Sequence, residues 1–287
     1  MTRDDPSLKQ AYDHCATITR RHYENFPVAS LLLPAKLRRP ISVIYAFART
    51  ADDFADEGDI PDEQRLALLD GYARALDALN QHSSVEEQPI FIALRDVVSR
   101  HQLSIGHFHD LLTAFRMDVT KKRYASFTEL SGYCRYSANP IGRLVLELCG
   151  QNNTRNVNDS DNICTALQLI NFLQDIRQDY GENNRIYLPQ DELARFDVTE
   201  GDISQQRNGP AMKRLVEFQT DRARTLLQSG MPLGARLPGR IGLEIRCTVM
   251  GGLRVLDALA TQPDVYARPR LRKKDWISII ARACLRR

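Results

Sequence analysis

The sequence contains one uninterrupted run in which apolar residues lead directly into acidic ones, Ile41-Ser-Val-Ile-Tyr45-Ala-Phe-Ala-Arg49-Thr-Ala-Asp52-Asp53-Phe-Ala-Asp56-Glu57. The apolar residues predict the buried beginning of a helix that continues into the acidic ones. At about 100° per residue, Asp52 and Asp56 lie one turn apart on one face, and Arg49 stands one turn before Asp52. Four acidic residues within six positions repel one another, so this pattern suits a solvated surface or a site that binds cations.

A second stretch rich in side-chain oxygens is Asn171-Phe-Leu-Gln174-Asp175-Ile-Arg-Gln-Asp179. Asn171, Asp175 and Asp179 are spaced i, i+4, i+8, which on a continuous helix places them in one stripe. An apolar stripe runs beside them, formed by Leu169, Phe172, Leu173 and Ile176. Because isolated buried carboxylates are costly and cation coordination offsets that cost, the two adjoining stripes indicate the wall of a cavity.

The two stretches together favour magnesium over other metals. A single pair of carboxylates one turn apart is common on ordinary helix surfaces, and two such pairs in one chain are more informative. Mg²⁺ prefers hard oxygen ligands and binds through one or two carboxylates together with substrate phosphate oxygens. The cysteine and histidine spacings of a zinc site are absent from the sequence.

Helical periodicity dominates the rest of the chain, as in Leu66, Leu69, Ala73 and Leu76. Alternating apolar and polar runs are scarce, so no convincing strand is predicted, and there is no internal repeat of fixed period. We therefore predict one all-α domain over residues 1–287, with roughly eight to ten helices. Turn residues predict chain breaks, among them one at Pro40, and the polar stretch from Gln151 to Asn162 predicts a flexible loop.

The composition excludes several classes of protein. The net charge is only +3, and no nucleic-acid-binding module occurs. Six cysteines without C-x-x-C spacing predict reduced, mostly buried thiols in a cytoplasmic protein. No apolar stretch reaches the ~18 residues of a membrane span, so a lipid substrate must be met from outside the bilayer, as by a peripheral protein on the inner face of the membrane. The basic run from Arg268 to Lys274 is either a solvated turn or a contact for diphosphate or anionic lipid headgroups.

Five segments in order resemble the squalene/phytoene synthase family of trans-isoprenyl diphosphate synthases, over about Tyr12 to Lys274. They are His22-Tyr-Glu-Asn-Phe26, Tyr45 to Glu57, Tyr133-Cys-Arg-Tyr-Ser-Ala-Asn-Pro-Ile-Gly142, Gln168 to Asp179, and Arg185-Ile-Tyr187-Leu-Pro189. The resemblance implies a single all-α domain of the isoprenoid-synthase fold, with the two acidic stretches facing each other across a central cavity.

The resemblance also implies roles for individual residues. Mg²⁺ is expected to bind Asp52 and Asp56 on one side, and Asn171, Asp175 and Asp179 on the other. The four aspartates and Tyr133, which is expected to line the pocket beside a carbocation, form the catalytic set. The residues expected to bind substrate are His22, Asn25, Phe26, Arg49, Asp53, Gln174, Arg185 and Tyr187.

Gln174 departs from the family pattern, because many members carry arginine there, and this loss of a cation weakens the case for binding two farnesyl diphosphates at once. The Asp52 stretch looks most like that of the bacterial hydroxysqualene synthases of hopanoid biosynthesis, where a sister enzyme of the pathway, and a possible partner, supplies presqualene diphosphate. The expected reaction is ionisation of presqualene diphosphate and capture of the cation by water. The alternatives are a head-to-head prenyltransferase that makes presqualene diphosphate, squalene or phytoene, and a non-catalytic relative.

The segment Asn139-Pro140 stands where relatives have small residues. A proline inside a helix frees a carbonyl group and kinks the chain. The expectation is a packing kink, and the alternative is that the freed carbonyl and the Asn139 amide hold one water molecule near the cation.

Overall fold

The computed structural model describes residues 6–21, 33–80 and 88–285. Within these ranges the protein is built from α-helices. The one extended pairing in the described part of the chain is an isolated bridge between Arg123 and Ile186. The prediction of an all-α protein without sheets is therefore confirmed for these residues.

Fifteen helices follow one another in the described residues. They are α1 (Pro6–Arg21), α2 (Ala35–Asp56), α3 (Asp62–Asn80), α4 (Pro89–His101), α5 (Ile105–Thr120), α6 (Phe127–Ser137), α7 (Asn139–Leu148), α8 (Thr154–Gln174), α9 (Ile176–Asn183), α10 (Gln190–Arg195), α11 (Glu200–Ser204), α12 (Pro210–Gly230), α13 (Leu233–Arg236), α14 (Gly239–Thr261) and α15 (Lys273–Leu285). The prediction of eight to ten helices is too low. The shortest helices span too few turns to produce a periodic apolar pattern.

The Cα positions group into two compact units. The first comprises Met1–Thr120 and Pro140–Asn152, and the second comprises Lys121–Asn139 and Asn153–Arg287. The acidic stretch that ends at Glu57 belongs to the first unit, and the stretch from Asn171 to Asp179 belongs to the second. A single domain over residues 1–287 stays a prediction.

Helix α2 packs against α1, α3, α4 and α5 in the first unit. Its buried apolar residues recur every three or four positions and include Leu37, Ile44, Phe47, Ala51 and Ala55. Phe47 stacks on Tyr72 with 5.0 Å between the ring centroids. The predicted break at Pro40 is wrong, because α2 continues through it. So close to the helix start, the proline removes only the hydrogen bond to the Lys36 carbonyl, and its ring is buried.

Helix α8 packs along α12 in the second unit. The two helices approach so closely at Gly230 that a Cβ atom there would lie 2.5 Å from both the Asp159 carbonyl oxygen and Ile163 Cγ1. Only glycine fits this position without displacement of one helix.

The loop predicted from Gln151 to Asn162 is wrong from Thr154 onward, where α8 begins. Asn153 caps the helix, and its Oδ1 accepts a hydrogen bond from the Asn156 backbone N–H at 3.1 Å. Arg236 stabilises the polar first turns of α8. Its guanidinium group donates hydrogen bonds to Asn156 Oδ1, at 3.0 Å, and to the Asp159 carboxylate. Such partners come from distant sequence, so polar composition alone misread this segment as a loop.

Candidate active site

The acidic end of α2 is organised around Arg49. Its Nη1 lies 3.1 Å from Asp52 Oδ2, its Nη2 lies 2.6 Å from Asp53 Oδ1, and it also pairs with Glu57. The predicted placement of Arg49 one turn before Asp52 is confirmed by the first of these contacts. The Nε atom of Arg49 is buried and donates no hydrogen bond to any described residue, so one donor remains for a further oxygen ligand.

Asp52 has a pKa well above the ordinary value of an aspartate. Burial and, to a smaller extent, the Asp56 carboxylate raise its pKa to about 7, even though Arg49 opposes both effects. The side chain keeps 37% of its surface exposed, so ions in solution can reach it. A carboxylate that resists ionisation beside a second carboxylate favours a bound cation.

Asp118 is a residue that the sequence analysis missed. It lies on α5 with only 6% of its surface exposed, and its charge also raises the pKa of Asp52. A signal for it does exist in the sequence. Asp118 occupies the buried face of α5 with Leu111 and Ala114, at spacing i, i+3, i+7, where an apolar residue is the usual occupant.

The second oxygen-rich stretch is not one continuous helix. Helix α8 ends at Gln174, α9 begins at Ile176, and Asp175 between them has φ −111° and ψ 14°. The prediction of an unbroken stripe is corrected at this residue. The backbone N–H of Asp175 still bonds to the Asn171 carbonyl at 2.9 Å, and that of Asp179 to the Asp175 carbonyl at 2.8 Å. The three oxygen-bearing residues therefore keep near-helical spacing across the break.

The break coincides with contacts from the basic run. Arg268 Nε lies 2.7 Å from Asp175 Oδ1, and Arg268 Nη2 donates to Asp175 Oδ2 at 3.1 Å. Gln174 Nε2 donates to the Pro269 carbonyl oxygen at 2.8 Å. Burial raises the pKa of Asp175, and Arg268 partly offsets that rise. The basic run thus begins with an ion pair to the second acidic stretch, and the Arg268 side chain that makes it keeps 39% of its surface exposed.

Aromatic rings cluster within the second unit. Phe172 and Tyr187 stack with 3.9 Å between centroids and 9° between ring planes, and Tyr133 lies 6.1 Å from the first and 5.7 Å from the second. Tyr124 joins the cluster at 5.5 Å from Tyr133. All four rings are buried. The sequence singled out three of them; Tyr124 was missed because no motif or periodic pattern marks it.

Arg185 is buried, with 5% of its surface exposed. Its backbone N–H bonds to the Asp179 carbonyl at 2.9 Å, which places the segment of Arg185 and Tyr187 directly after the second acidic stretch. Three residues predicted to bind substrate, His22, Asn25 and Phe26, lie outside the described residues.

Pro140 does not kink a continuous helix, so that expectation is wrong. Helix α6 ends at Ser137, Ala138 intervenes, and Pro140 is the second residue of α7. In a first turn, proline removes no intrahelical hydrogen bond. Asn139 is buried, and its Oδ1 accepts a hydrogen bond from Thr165 Oγ1 at 3.0 Å. That oxygen therefore has a protein partner.

The squalene/phytoene synthase family profile matches residues 19–276. The protein belongs to this family. Its members process prenyl diphosphates, so the protein is an enzyme that acts on such substrates.

Relatives within the family are similar over most of the chain. A hydroxysqualene synthase from Rhodopseudomonas palustris is 36% identical over 88% of this chain and 85% of its own. A hydroxysqualene synthase from Zymomonas mobilis is 38% identical, over 77% of this chain and 74% of its own. A phytoene synthase from Mycobacterium tuberculosis is 33% identical, over 90% of this chain and 84% of its own.

Two solved structures have the same fold as this protein. Squalene synthase HpnC from Alicyclobacillus acidocaldarius superposes with a TM-score of 0.83 at 35% identity, covering 90% of this chain and 96% of its own. A dehydrosqualene synthase gives the same TM-score at 22% identity, covering 97% and 96%, and supports the fold alone. The predicted isoprenoid-synthase fold is confirmed.

The predicted metal ligands are all oxygen donors, the ligand type that Mg²⁺ prefers. Within the described ranges, no three His, Cys, Asp or Glu side chains stand together in an arrangement that holds a metal by itself. Mg²⁺ needs no such cage when substrate phosphates and water complete its coordination. The raised pKa of Asp52 and the unbonded Arg49 Nε fit a site completed by a magnesium-bound diphosphate.

Proposed function

We propose that the protein is a hydroxysqualene synthase, a carbon–oxygen lyase that converts presqualene diphosphate and water to hydroxysqualene and diphosphate. The C–O bond to diphosphate breaks, the cyclopropylcarbinyl cation rearranges, and a water oxygen forms the new C–O bond and loses a proton. The supporting observation is similarity: three hydroxysqualene synthases are 36–38% identical to the chain, against 30–33% for phytoene synthases.

Residues of the first unit are proposed to hold the leaving group. Asp52 and Asp56 are the metal ligands, and Arg49 is the cation that contacts the diphosphate through its unbonded Nε. When bound, Mg²⁺ supplies neutralisation of the charge that develops on the departing diphosphate. Asp53 keeps Arg49 in place through the 2.6 Å contact.

Residues of the second unit are proposed to complete ligand binding. Asn171, Asp175 and Asp179 are metal ligands, and Arg185 is a further diphosphate contact. Gln174 fixes the Pro269 segment by its hydrogen bond and so keeps Arg268 beside the ligands. His22 and Asn25 are proposed as additional diphosphate contacts, and Phe26 as an aromatic contact of the substrate.

The aromatic cluster is proposed to protect the cation. The buried rings of Tyr133, Phe172 and Tyr187 offer π faces that stabilise positive charge and an apolar surface that excludes bulk water. This environment suits a cation that must rearrange before a single water molecule captures it.

The head-to-head prenyltransferase is the second candidate. It is favoured by the phytoene synthase that is 33% identical over 90% of this chain, and by the similarity to squalene synthase HpnC. In the form of that reaction that gives presqualene diphosphate or squalene, two farnesyl diphosphates are the substrates.

One experiment separates the two candidates. The purified protein is incubated in ¹⁸O-labelled water with presqualene diphosphate or farnesyl diphosphate, with and without NADPH, and products are analysed by mass spectrometry. We expect labelled hydroxysqualene from presqualene diphosphate without reductant, and no product in EDTA. Squalene that forms only with NADPH, an unlabelled hydroxyl group, or turnover of farnesyl diphosphate alone would overturn the proposal.

We place the protein in the cytoplasm, in peripheral contact with the membrane, because the long hydrocarbon chains of its proposed substrate and product are apolar. Among the described helices, none combines the length and the apolar composition of a membrane crossing.

A further inference from the structure

Helix α15 lies antiparallel along α14. Arg254 Nε of α14 contacts Asp275 Oδ1 at the start of α15, at 2.9 Å, and Arg246 Nε donates to the Ala283 carbonyl near its end, at 2.8 Å. The face turned toward α14 buries Ile279 and Ala283. The contacts at both ends fix which face of α15 is left uncovered.

The uncovered face of α15 contains an apolar stripe, bordered by the exposed residues Lys274, Ser278 and Arg282. Ile277, Ile280, Ala281 and Cys284 follow the spacing i, i+3, i+4, i+7 and are all exposed, so they form one stripe. Ile277 has 73% of its surface exposed and Ile280 has 36%. Leu68, in the first unit, is the one other large hydrophobic residue exposed to this extent in the described part of the chain. Exposed apolar surface is therefore concentrated on α15.

A basic pocket adjoins this stripe. It has a volume of about 580 Å³, and its lining includes Arg236, Arg240, Leu243, Arg246 and Cys284. Cys284 belongs to both the pocket and the stripe. Arg236 pairs with the Asp159 carboxylate. Arg246 instead donates hydrogen bonds to the carbonyl oxygens of Gly234 and Ala283. Because these partners are neutral, they do not offset the positive charge of Arg246.

Few negative charges oppose this surface. Residues 268–287 include eight arginines and lysines and one acidic residue, Asp275, which Arg254 already engages. Glu244, on α14, is buried, and burial raises its pKa to about 8. It is therefore mostly protonated at neutral pH and adds little negative charge.

We infer that the α15 stripe and the arginine pocket form a docking site for an anionic lipid bilayer. The stripe enters the boundary between headgroups and acyl chains, and the pocket binds a lipid phosphate. A membrane surface offers both an apolar layer and a negatively charged layer, at adjacent depths. A free phosphate ion would bind the pocket but would not explain the exposed isoleucines. A second copy of this chain would bring the same positive charge to the contact and would be repelled.

The inference refines the proposed peripheral contact but does not rest on the proposed reaction. The site uses no residue of either acidic stretch, so membrane binding and catalysis are measured separately.

The test is flotation of the full-length protein with vesicles of pure phosphatidylcholine, or of phosphatidylcholine with about one-third phosphatidylglycerol. We expect about tenfold stronger binding to the anionic vesicles. The double variant Ile277→Ser/Ile280→Ser should bind them about tenfold more weakly than wild type, and Arg240→Gln about fivefold more weakly. The matched controls Leu68→Ser and Arg214→Gln, at exposed positions elsewhere, should bind like wild type.

Unchanged circular dichroism and unchanged turnover of detergent-dispersed substrate would exclude misfolding as the cause. Equal binding to both vesicle types, or unaltered binding of the double variant, would overturn the inference. Full competition by inorganic phosphate would instead identify the pocket as a site for free anions. A change in oligomeric state of the double variant, with vesicle binding intact, would identify the stripe as a contact between proteins.

Discussion

The guanidinium group of Arg268 holds both carboxylate oxygens of Asp175, although the two residues are separated by 93 positions in the sequence. The pair joins the second acidic stretch to the basic run that follows α14. Because Arg268 lowers a pKa that burial raises, it keeps more of Asp175 in the ionised form that binds a metal.

Replacement of Arg268 by glutamine should shift the pH dependence of catalysis. Without the positive charge, the pKa of Asp175 rises further, so the acidic limb of the kcat/KM profile should move to higher pH. Arg270 lowers the same pKa more weakly, so Arg270→Gln should give a smaller shift in the same direction. Arg214→Gln serves as the distant control. An acidic limb that stays in place in the Arg268 variant would contradict the prediction.

Asp52→Asn should lower turnover by about a hundredfold or more, because it removes a charged ligand at the leaving group. The variant should also be more stable than wild type at pH 8 when Mg²⁺ is absent. The folded-state pKa of Asp52, about 7, exceeds that of the unfolded chain, so the contribution of Asp52 to wild-type stability falls as pH rises from about 4 to 7 and stays low above 7.

The measurement is the melting temperature at pH 4 and pH 8, with and without Mg²⁺. The difference between Asp52→Asn and wild type should vanish at pH 4, and Mg²⁺ should raise the melting temperature of wild type more than that of the variant. Equal responses of the two proteins to Mg²⁺ would argue against Asp52 as a ligand.

Gln174→Arg should change substrate preference. The longer side chain can still donate to the Pro269 carbonyl and adds a positive charge beside Asp175, so we expect tighter binding of diphosphates and some use of farnesyl diphosphate. Gln174→Met is the control that removes the hydrogen bond without adding charge. If both variants keep the wild-type KM and substrate profile, position 174 has no part in selectivity.

Glu244→Gln should stabilise the second unit at high pH. The carboxyl group is buried, and its pKa of about 8 is raised by burial alone. The contribution of Glu244 to wild-type stability therefore falls as pH rises from the unfolded pKa, near 4.5, to about 8, and glutamine removes this loss. Chemical denaturation of wild type and Glu244→Gln at pH 5 and pH 9 measures this difference in stability. A variant that is less stable than wild type at pH 9 would mean that the carboxylate has a favourable partner when ionised.

Much of the fold could be predicted from local sequence patterns, whereas the contacts between residues of the candidate site could not. The apolar run from Ile41 predicted a buried helix because its repeat matches the helical turn. The acidic stretches were evident because their carboxylates are close in sequence. Asp118 was missed because no second carboxylate lies one helical turn from it in the sequence, and Arg268 was not paired with Asp175 because periodicity carries no information over 93 residues. The helix break at Asp175 likewise has no glycine or proline to mark it.

We expect the close approach of α12 to α8 at Gly230 to couple this position to the second acidic stretch, although Gly230 is not one of the proposed ligand-binding residues. Asp159 and Asn171 are twelve residues apart on α8, about 18 Å along a helix. A methyl group at position 230 would push against the Asp159 carbonyl and Ile163, and a displaced rigid helix carries its far end with it. Mutations that alter product distribution therefore need not cluster around the acidic stretches, and a screen restricted to them would overlook this glycine.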